Sequence, residues 1–347
     1  MTKPELPPEV ILSILDQLVG TAHGLQPIYD PSSPVTRTLR ALTLTSHSIY
    51  PVASRYLYRH CLYLCDCASY AHFRRTLGID LGGNHPQSLA YGQAGRNDDL
   101  WNDAKILQNI TSAFISPMKL LGETSEKERP TPMVRLPQII DLCNIIGITL
   151  KRLVLDMQPV YSPPSEFGSV RLSQKDKNIF LGMPNLQELV ASYDVLDYFR
   201  LPTPSIKRLA ITIQELHEIA MGFCFSVSTL QTLILLRPME LSAADIDSLF
   251  SAYKGKCLDI IFVDVNSNHR TPKDTRDWTD SDNVRIWEVD VPTSFYGDED
   301  DLILCDNWIW THAVKGTLWD QQKRRMASWS EVQRRLAGPV HHIIDGV

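Results

Sequence analysis

Six short stretches between residues 150 and 289 share one pattern, apolar-x-x-apolar-x-apolar, and no other feature constrains the fold as much. They are LKRLVL (Leu150, Leu153, Leu155), LQELVA (Leu186, Leu189, Ala191), IKRLAI (Ile206, Leu209, Ile211), LQTLIL (Leu230, Leu233, Leu235), LDIIFV (Leu258, Ile261, Val263) and VRIWEV (Val284, Trp287, Val289). Their starts lie 36, 20, 24, 28 and 26 residues apart. One aliphatic triplet says little. A series at similar spacing implies a supersecondary unit repeated along the chain, each copy burying its apolar face against its neighbours. Between copies lie helical patterns: LPQIIDLCNIIG before the first, SQKDKNIFLGM before the second, and SAADIDSLFSAYKG before the fifth. In the last of these Ser242 is placed to cap the helix, Asp245 to sit in its first turn and Gly255 to end it. Strand alternating with helix predicts an α/β fold with parallel strands and right-handed crossovers.

The spacing and the triplets resemble leucine-rich repeats, so residues 136–292 are expected to form an irregular α/β solenoid of that kind. Regular repeats carry Asn three residues past the last leucine. Here those positions hold Gln158, Asp194, Gln214, Pro238 and Asn266, which predicts irregular turns. A doubly wound α/β domain is the alternative fold. If the second and third apolar residues of each triplet face the core, the residue between them faces the other way. That column reads Val154, Val190, Ala210, Ile234, Phe262 and Glu288, flanked by Arg152, Glu188, Arg208, Asp156, Ser192, Thr212 and Asp264. Left open, such a strip binds a protein; covered, it is the second buried face of a parallel sheet. Val154, Val190, Ile234 and Phe262, with Arg152 and Arg208 on the rim, are the candidate target contacts. Six of the seven tryptophans follow residue 277, and the helical tail at 293–347, with Trp308, Trp310, Trp319 and Trp329, is a candidate cover or end cap.

The chain opens differently. In ELPPEVILSILDQL, Val10, Ile11, Ile14, Leu15 and Leu18 recur at helical spacing, and Pro7 and Pro8 suit a helix start, where a missing N–H costs nothing. A Gly- and Pro-rich loop follows from Gly20 to Pro34. Then LRALTLTSHSIYPVASRYLYR reads as a leucine-bearing helix (Leu39, Leu42, Leu44), a polar step at 45–48 and a third helix ending in aromatic and basic residues. This ordered combination of Leu6-Pro7, an acidic-aliphatic helix and the second block resembles the F-box, in particular its fungal form, over about the first sixty residues. The resemblance implies a three-helix module that binds the Skp adaptor of a cullin-RING ubiquitin ligase. The adaptor contacts it implies are Leu6, Pro7, Ile11, Ile14, Leu15, Leu18, Leu39 and Leu42. A unit of this size cannot bury all its aliphatic faces alone.

Little else in the sequence points to chemistry. A formal net charge of −6 gives no general attraction to nucleic acid or an anionic membrane, and no run is long enough to span a bilayer or to serve as a signal peptide. A cytoplasmic or nuclear protein without disulfides is expected, its seven cysteines being odd in number and irregular in spacing. His60, Cys61, Cys65, Cys67 and His72 invite a zinc reading, but their spacing fits no usual site. The glycine-rich 81–99 lacks the Lys-Ser/Thr ending of a phosphate loop, and the terminal His341–His342 pair reads as frayed chain. Lys323, Arg324, Arg325, Arg334 and Arg335 form the one basic cluster, most simply a solvated helix face.

The expectation is therefore a non-catalytic substrate receptor with no cofactor and no metal. An adaptor-binding domain (1–60) and a connecting segment (61–135) precede the repeat domain (136–292) that binds an unidentified target protein, and the Trp-rich tail (293–347) closes the chain. A scaffold using the same handle without degradation is the alternative.

Overall fold

The computed structural model describes residues 7–20, 27–77, 105–116, 136–157, 178–199, 201–213, 215–265, 270–279, 281–292 and 301–338. Leu6, the 81–99 loop, the positions 158, 214 and 266 and the His341–His342 pair lie outside them, as does the side chain of Cys67. The chain divides into two compact units, Met1–Ile206 with Trp310–Asp320, and Lys207–Ile309 with Gln321–Val347.

Three helices open the first unit: α1 (Pro8–Val19), α2 (Pro34–Thr43) and α3 (Tyr50–His60). Each carries proline in its first turn, where its fixed φ and absent N–H are harmless. The Ser33 hydroxyl caps α2 by accepting the Val35 N–H at 3.3 Å. Gly20 ends α1 in the left-handed region, at φ 66°. The helices share a core of Leu15, Val19 and Leu39, packed against Ile11, Leu18, Tyr29, Val35, Leu42, Val52, Tyr56, Leu57 and Cys61.

Four strands follow in the same unit: β1 (Tyr63–Leu64), β2 (Ser112–Ile115), β3 (Arg152–Leu155) and β4 (Glu188–Ser192). They pair in chain order, all parallel. Between them lie α4 (Cys67–Thr76), α5 (Ile106–Asn109) and α6 (Leu136–Ile146), and α7 (Val195–Tyr198) comes after β4. Residues 61–135, read from sequence as a connection, thus supply two strands. Ahead of β4 the SQKDKNIFLGM stretch gives a single 3-10 turn, Ile179–Gly182, among its described residues. Residues 310–320 belong here as well: the Ile28 N–H donates to the Val314 carbonyl at 2.8 Å, and Leu318 is buried.

The second unit holds β5 (Arg208–Thr212), α8 (Glu218–Phe225), β6 (Thr232–Leu236), α9 (Ala243–Ala252), β7 (Leu258–Val265) and β8 (Val284–Val291). β5 to β8 are parallel and again pair in chain order. Neither unit shows the reversal of strand order that defines a doubly wound sheet. All six triplets form strands. The chain is α/β, with nine mostly parallel strands among the described residues once β9 (Arg324–Arg325) is counted. Helix α10 (Asp301–Lys315) spans the division between units, and α11 (Trp329–Ala337) ends the described chain.

Helix α9 starts as its sequence predicts. Ser242 Oγ accepts the Asp245 N–H at 3.2 Å while Asp245 Oδ2 accepts the Ser242 N–H at 2.9 Å, a reciprocal cap. Its end differs from expectation, because Tyr253, in extended conformation, closes the helix and Gly255 lies beyond it. Glycine is needed at 255 for space. A Cβ there would stand 2.1 Å from the Tyr253 hydroxyl and 2.5 Å from the Ser228 carbonyl, and that hydroxyl donates to the Leu230 carbonyl at 2.6 Å.

The expected column of outward residues needs two corrections. Leu233 pairs with Ile260 and Ile260 with Ile286, so Ile234 lines up with Ile261 and Trp287. Phe262 instead aligns with Leu235 and Glu288, one residue out of the expected frame and hence on the opposite face. The strip is also closed. Val154, Val190, Ile234 and Phe262 are at most 2% exposed, as a parallel sheet covered on both faces requires. Arg152 is 6% exposed, with its Nε 3.9 Å from Glu188 and its Nη2 donating to the Ala313 carbonyl, and Arg208 is half-buried. Apart from the half-buried Arg208, the expected target contacts are interior groups.

Part of the tail does cap the strands of the second unit. β9 pairs antiparallel with β8, Trp287 facing Arg325 and Glu288 facing Arg324. Met326 is fully buried, and its carbonyl accepts the Trp278 indole N–H at 3.2 Å. The expected basic cluster is therefore spent locally. Lys323 meets Asp259 at 2.7 Å and lies 4.4 Å over the Trp287 ring, Arg324 pairs with Glu288 at 3.1 Å and Asp290 at 3.3 Å, and Arg335 reaches Glu331 at 2.6 Å. Beneath them Arg237, 7% exposed, binds Glu288 at 2.8 Å and Asp264 at 3.6 Å and donates to the Arg270 carbonyl.

Candidate functional site

Helix α1 is apolar over an arc too wide for its seat. At 100° per residue Val10, Ile14, Leu18, Ile11, Leu15, Val19 and Leu12 span roughly 200°, about twice what a surface helix needs to cover a core. The middle of the arc is used: Leu15 and Val19 are buried, and Ile11 and Leu18 are partly so. Its flanks are not. Val10 and Ile14, four residues apart on one flank, are 41% and 53% exposed, and Leu12 on the other is 42% exposed. Leu44, at the end of α2, is 87% exposed.

The expected adaptor contacts therefore separate into groups. Leu15 and Leu39 belong to the core of the three helices and offer no surface, because the helices must seal something between themselves. Ile11, Leu18 and Leu42 are half-buried at its margin, and Pro7 and Ile14 are exposed. Leu6 lies outside the described residues. Val10, Leu12 and Leu44 are exposed positions that the family pattern did not single out. For Val10 and Leu12 the signal was present in the width of the apolar arc.

Two tyrosine hydroxyls hold α1 in place. Tyr56 on α3 donates to Asp16 Oδ1 at 2.6 Å, and Tyr29 donates to the Val19 carbonyl at 3.0 Å. Burial, then the bond to Asp16, pushes the Tyr56 phenol up to about 12, so the donor keeps its proton. Asp30 fixes the loop before α2 by accepting the N–H groups of Ser32 at 2.8 Å and Ser33 at 3.1 Å.

In the cysteine-histidine stretch, His60 and Cys61 pack into the interior, Cys65 is half-buried and His72 is exposed. His60 is buried, and burial, then Arg59, pushes its imidazole down to about 4, with Asp16 acting the other way. Cys61 packs against the helix core, and burial raises its thiol to about 11. No three His, Cys, Asp or Glu side chains come together to hold a metal among the described residues, and Cys61, Cys65, Cys143, Cys224, Cys257 and Cys305 form no disulfide among them.

The state of His60 sets an expected acid response. Above pH 6.5 the ring is neutral whether the chain is folded or not. Between 6.5 and about 4 the unfolded chain takes up a proton that the folded one refuses, so stability falls as pH falls and levels off below. The loss amounts to a few kcal/mol at most, since each tenfold difference in proton affinity is worth roughly 1.4 kcal/mol. Thermal unfolding followed from pH 7 to 4 should show this slope, and His60→Gln should flatten it.

A concavity of about 340 Å³ in the second unit is lined by Glu218, Met221, Gly222, Phe225, Ser226 and Ala252. Among the described residues Glu218 is its one titratable lining group, and Ser226, the other polar side chain there, donates its hydroxyl to the Phe223 carbonyl at 2.9 Å. No helix among the described residues is long and apolar enough to cross a membrane. Exposed aliphatic side chains also occur on the turns of the first unit, at Ile148 (63%), Leu181 (59%) and Leu201 (54%). Side-chain amides brace two of these turns, Asn185 donating to the Ile148 carbonyl at 2.7 Å and Asn178 to the Leu201 carbonyl at 2.8 Å. Compared with known proteins, the chain matches no family model, no curated protein and no solved structure.

Proposed function

We propose that this chain is a non-catalytic receptor whose N-terminal helices form an F-box-like handle for a Skp-type adaptor, and whose parallel-strand region, an irregular leucine-rich-repeat-like solenoid, carries a target protein to the ubiquitin machinery. The observation that carries this reading is the apolar flank of α1. Val10 and Ile14 stay exposed on that flank, while Leu15, Val19 and Leu39 form a buried core beside it. Exposed aliphatic side chains spaced four apart on a helix suit a hydrophobic groove on another protein. The succession of three helices with proline starts, matching the Leu-Pro and leucine-serine-aromatic pattern of the sequence, adds support.

The mechanism is proximity. Holding a target beside a charged conjugating enzyme raises the local concentration of its lysines, and the receptor itself performs no covalent step. The strip of Val154, Val190, Ile234 and Phe262 is interior, so target recognition falls to exposed positions such as Ile148, Leu181 and Leu201 on the turns.

The test is Ile14→Asp in the full-length chain, with pull-down of a Skp-type adaptor and cullin as the readout. A charge placed in a desolvated contact costs roughly 2–4 kcal/mol, a loss of about thirty- to a thousandfold in affinity. Because Ile14 is exposed, the thermal midpoint of the free chain should hardly move. Unchanged binding by Ile14→Asp would reject the handle. Adaptor capture without cullin would favour a scaffold that does not degrade its partner.

A further inference from the structure

The flank that carries Val10 and Ile14 faces outward, and one side-chain bond is placed to fix that orientation. Among the helices α1 packs chiefly on α3, and the Tyr56 hydroxyl ties the two together by donating to Asp16 at 2.6 Å. At helical spacing Asp16 lies about 160° around α1 from Ile14. A bond on that side sets the rotation of the helix about its own axis. Were α1 to roll by one residue, about 100°, Val10 and Ile14 would turn toward the core and the polar Glu9 and Ser13 toward the surface they now occupy. The Tyr29 bond goes to a backbone carbonyl at the helix end, so it tethers α1 without choosing among rotations.

We propose that Tyr56 and Asp16 form a rotational latch that positions the α1 flank for its partner without touching that partner. This inference rests on the handle reading given above. The Tyr56 ring belongs to the helix core, so Tyr56→Phe removes the bond and keeps the packing. Asp16→Asn keeps an acceptor oxygen, whereas Asp16→Ala removes it.

The experiment uses the full chain, with hydrogen exchange of the α1 amides in the free protein and the affinity for a recombinant Skp-type adaptor as paired readouts. Losing a hydrogen bond to a carboxylate should speed α1 exchange about tenfold or more in Tyr56→Phe and Asp16→Ala, and leave the β6 and β7 amides unchanged. Adaptor affinity should fall roughly threefold or more in the same two variants, in proportion to the fraction of chains with the flank correctly turned. Asp16→Asn should keep both properties within about twofold of the parent.

Three results overturn the latch: unchanged α1 exchange in Tyr56→Phe, faster exchange with undiminished affinity, or an Asp16→Asn as impaired as Asp16→Ala. If the parent chain binds no adaptor, the handle reading fails instead. The latch is then judged on α1 exchange alone.

Discussion

Replacing Arg237 by alanine is expected to destabilise the second unit by about 3–5 kcal/mol, the range for breaking a buried ion pair from one side. The guanidinium lies between Asp264 and Glu288, with 5% of its side chain exposed, and also serves the Arg270 carbonyl. Removing it leaves two carboxylates close together, both largely shielded from water. Arg324 remains beside Glu288 at 3.1 Å, but its side chain is 45% exposed and cannot replace the interior cation. Arg324→Ala, by contrast, should cost under about 1 kcal/mol, because exposed pairs contribute little. Chemical denaturation of both variants, fitted for the second unit, checks the contrast. Equal losses would mean that the ions at the end of β8 act as one exposed cluster.

Phe262→Ala should cost about 3–5 kcal/mol, the usual penalty for truncating a fully buried phenylalanine. The position tells a core from a surface. Had the side chain belonged to an open strip for a target, alanine would have weakened binding and spared the fold. Fully buried between Leu235 and Glu288 in register, it should do the reverse. A fall in the denaturation midpoint is the measurement, and a change below about 1 kcal/mol would show that the site collapses around the gap.

The misplacement of Phe262 shows where the sequence stops being legible. In LKRLVL the polar Arg152 and Asp156 bound a run of only three apolar residues, and its strand pairs Leu153 with Leu189 as expected. LDIIFV has four apolar residues in a row after Asp259, and a run of that kind has no parity. Two frames fit it equally, and pairing with β6 chose the other one. β1 and β2 were missed for a related reason. YL and SAFI are too short to show any period, and they are defined by partners far away in the chain.

The proposed handle was half legible. Helical periodicity located α1 and the proline starts, but sequence spacing cannot divide a wide apolar arc into the part a molecule keeps and the part it offers. Leu15 and Ile14 are neighbours in sequence and fall on opposite sides of that division. The division follows from the packing of α1 on Leu39, Leu57 and Tyr56 of the neighbouring helices.

Parallel strands added one after another in chain order have no built-in reason to stop, since the last one exposes the same row of amides and carbonyls that recruited it. In the second unit the direction reverses at β9, and two arginines occupy the place where another strand would nucleate. Cutting the chain before Gln321 would leave β8 as a template for copies of itself. Two copies joined through β8 bury both templates, so the foreseeable product is a dimer whose share grows with protein concentration, visible as a rise in light scattering before any loss of helical signal.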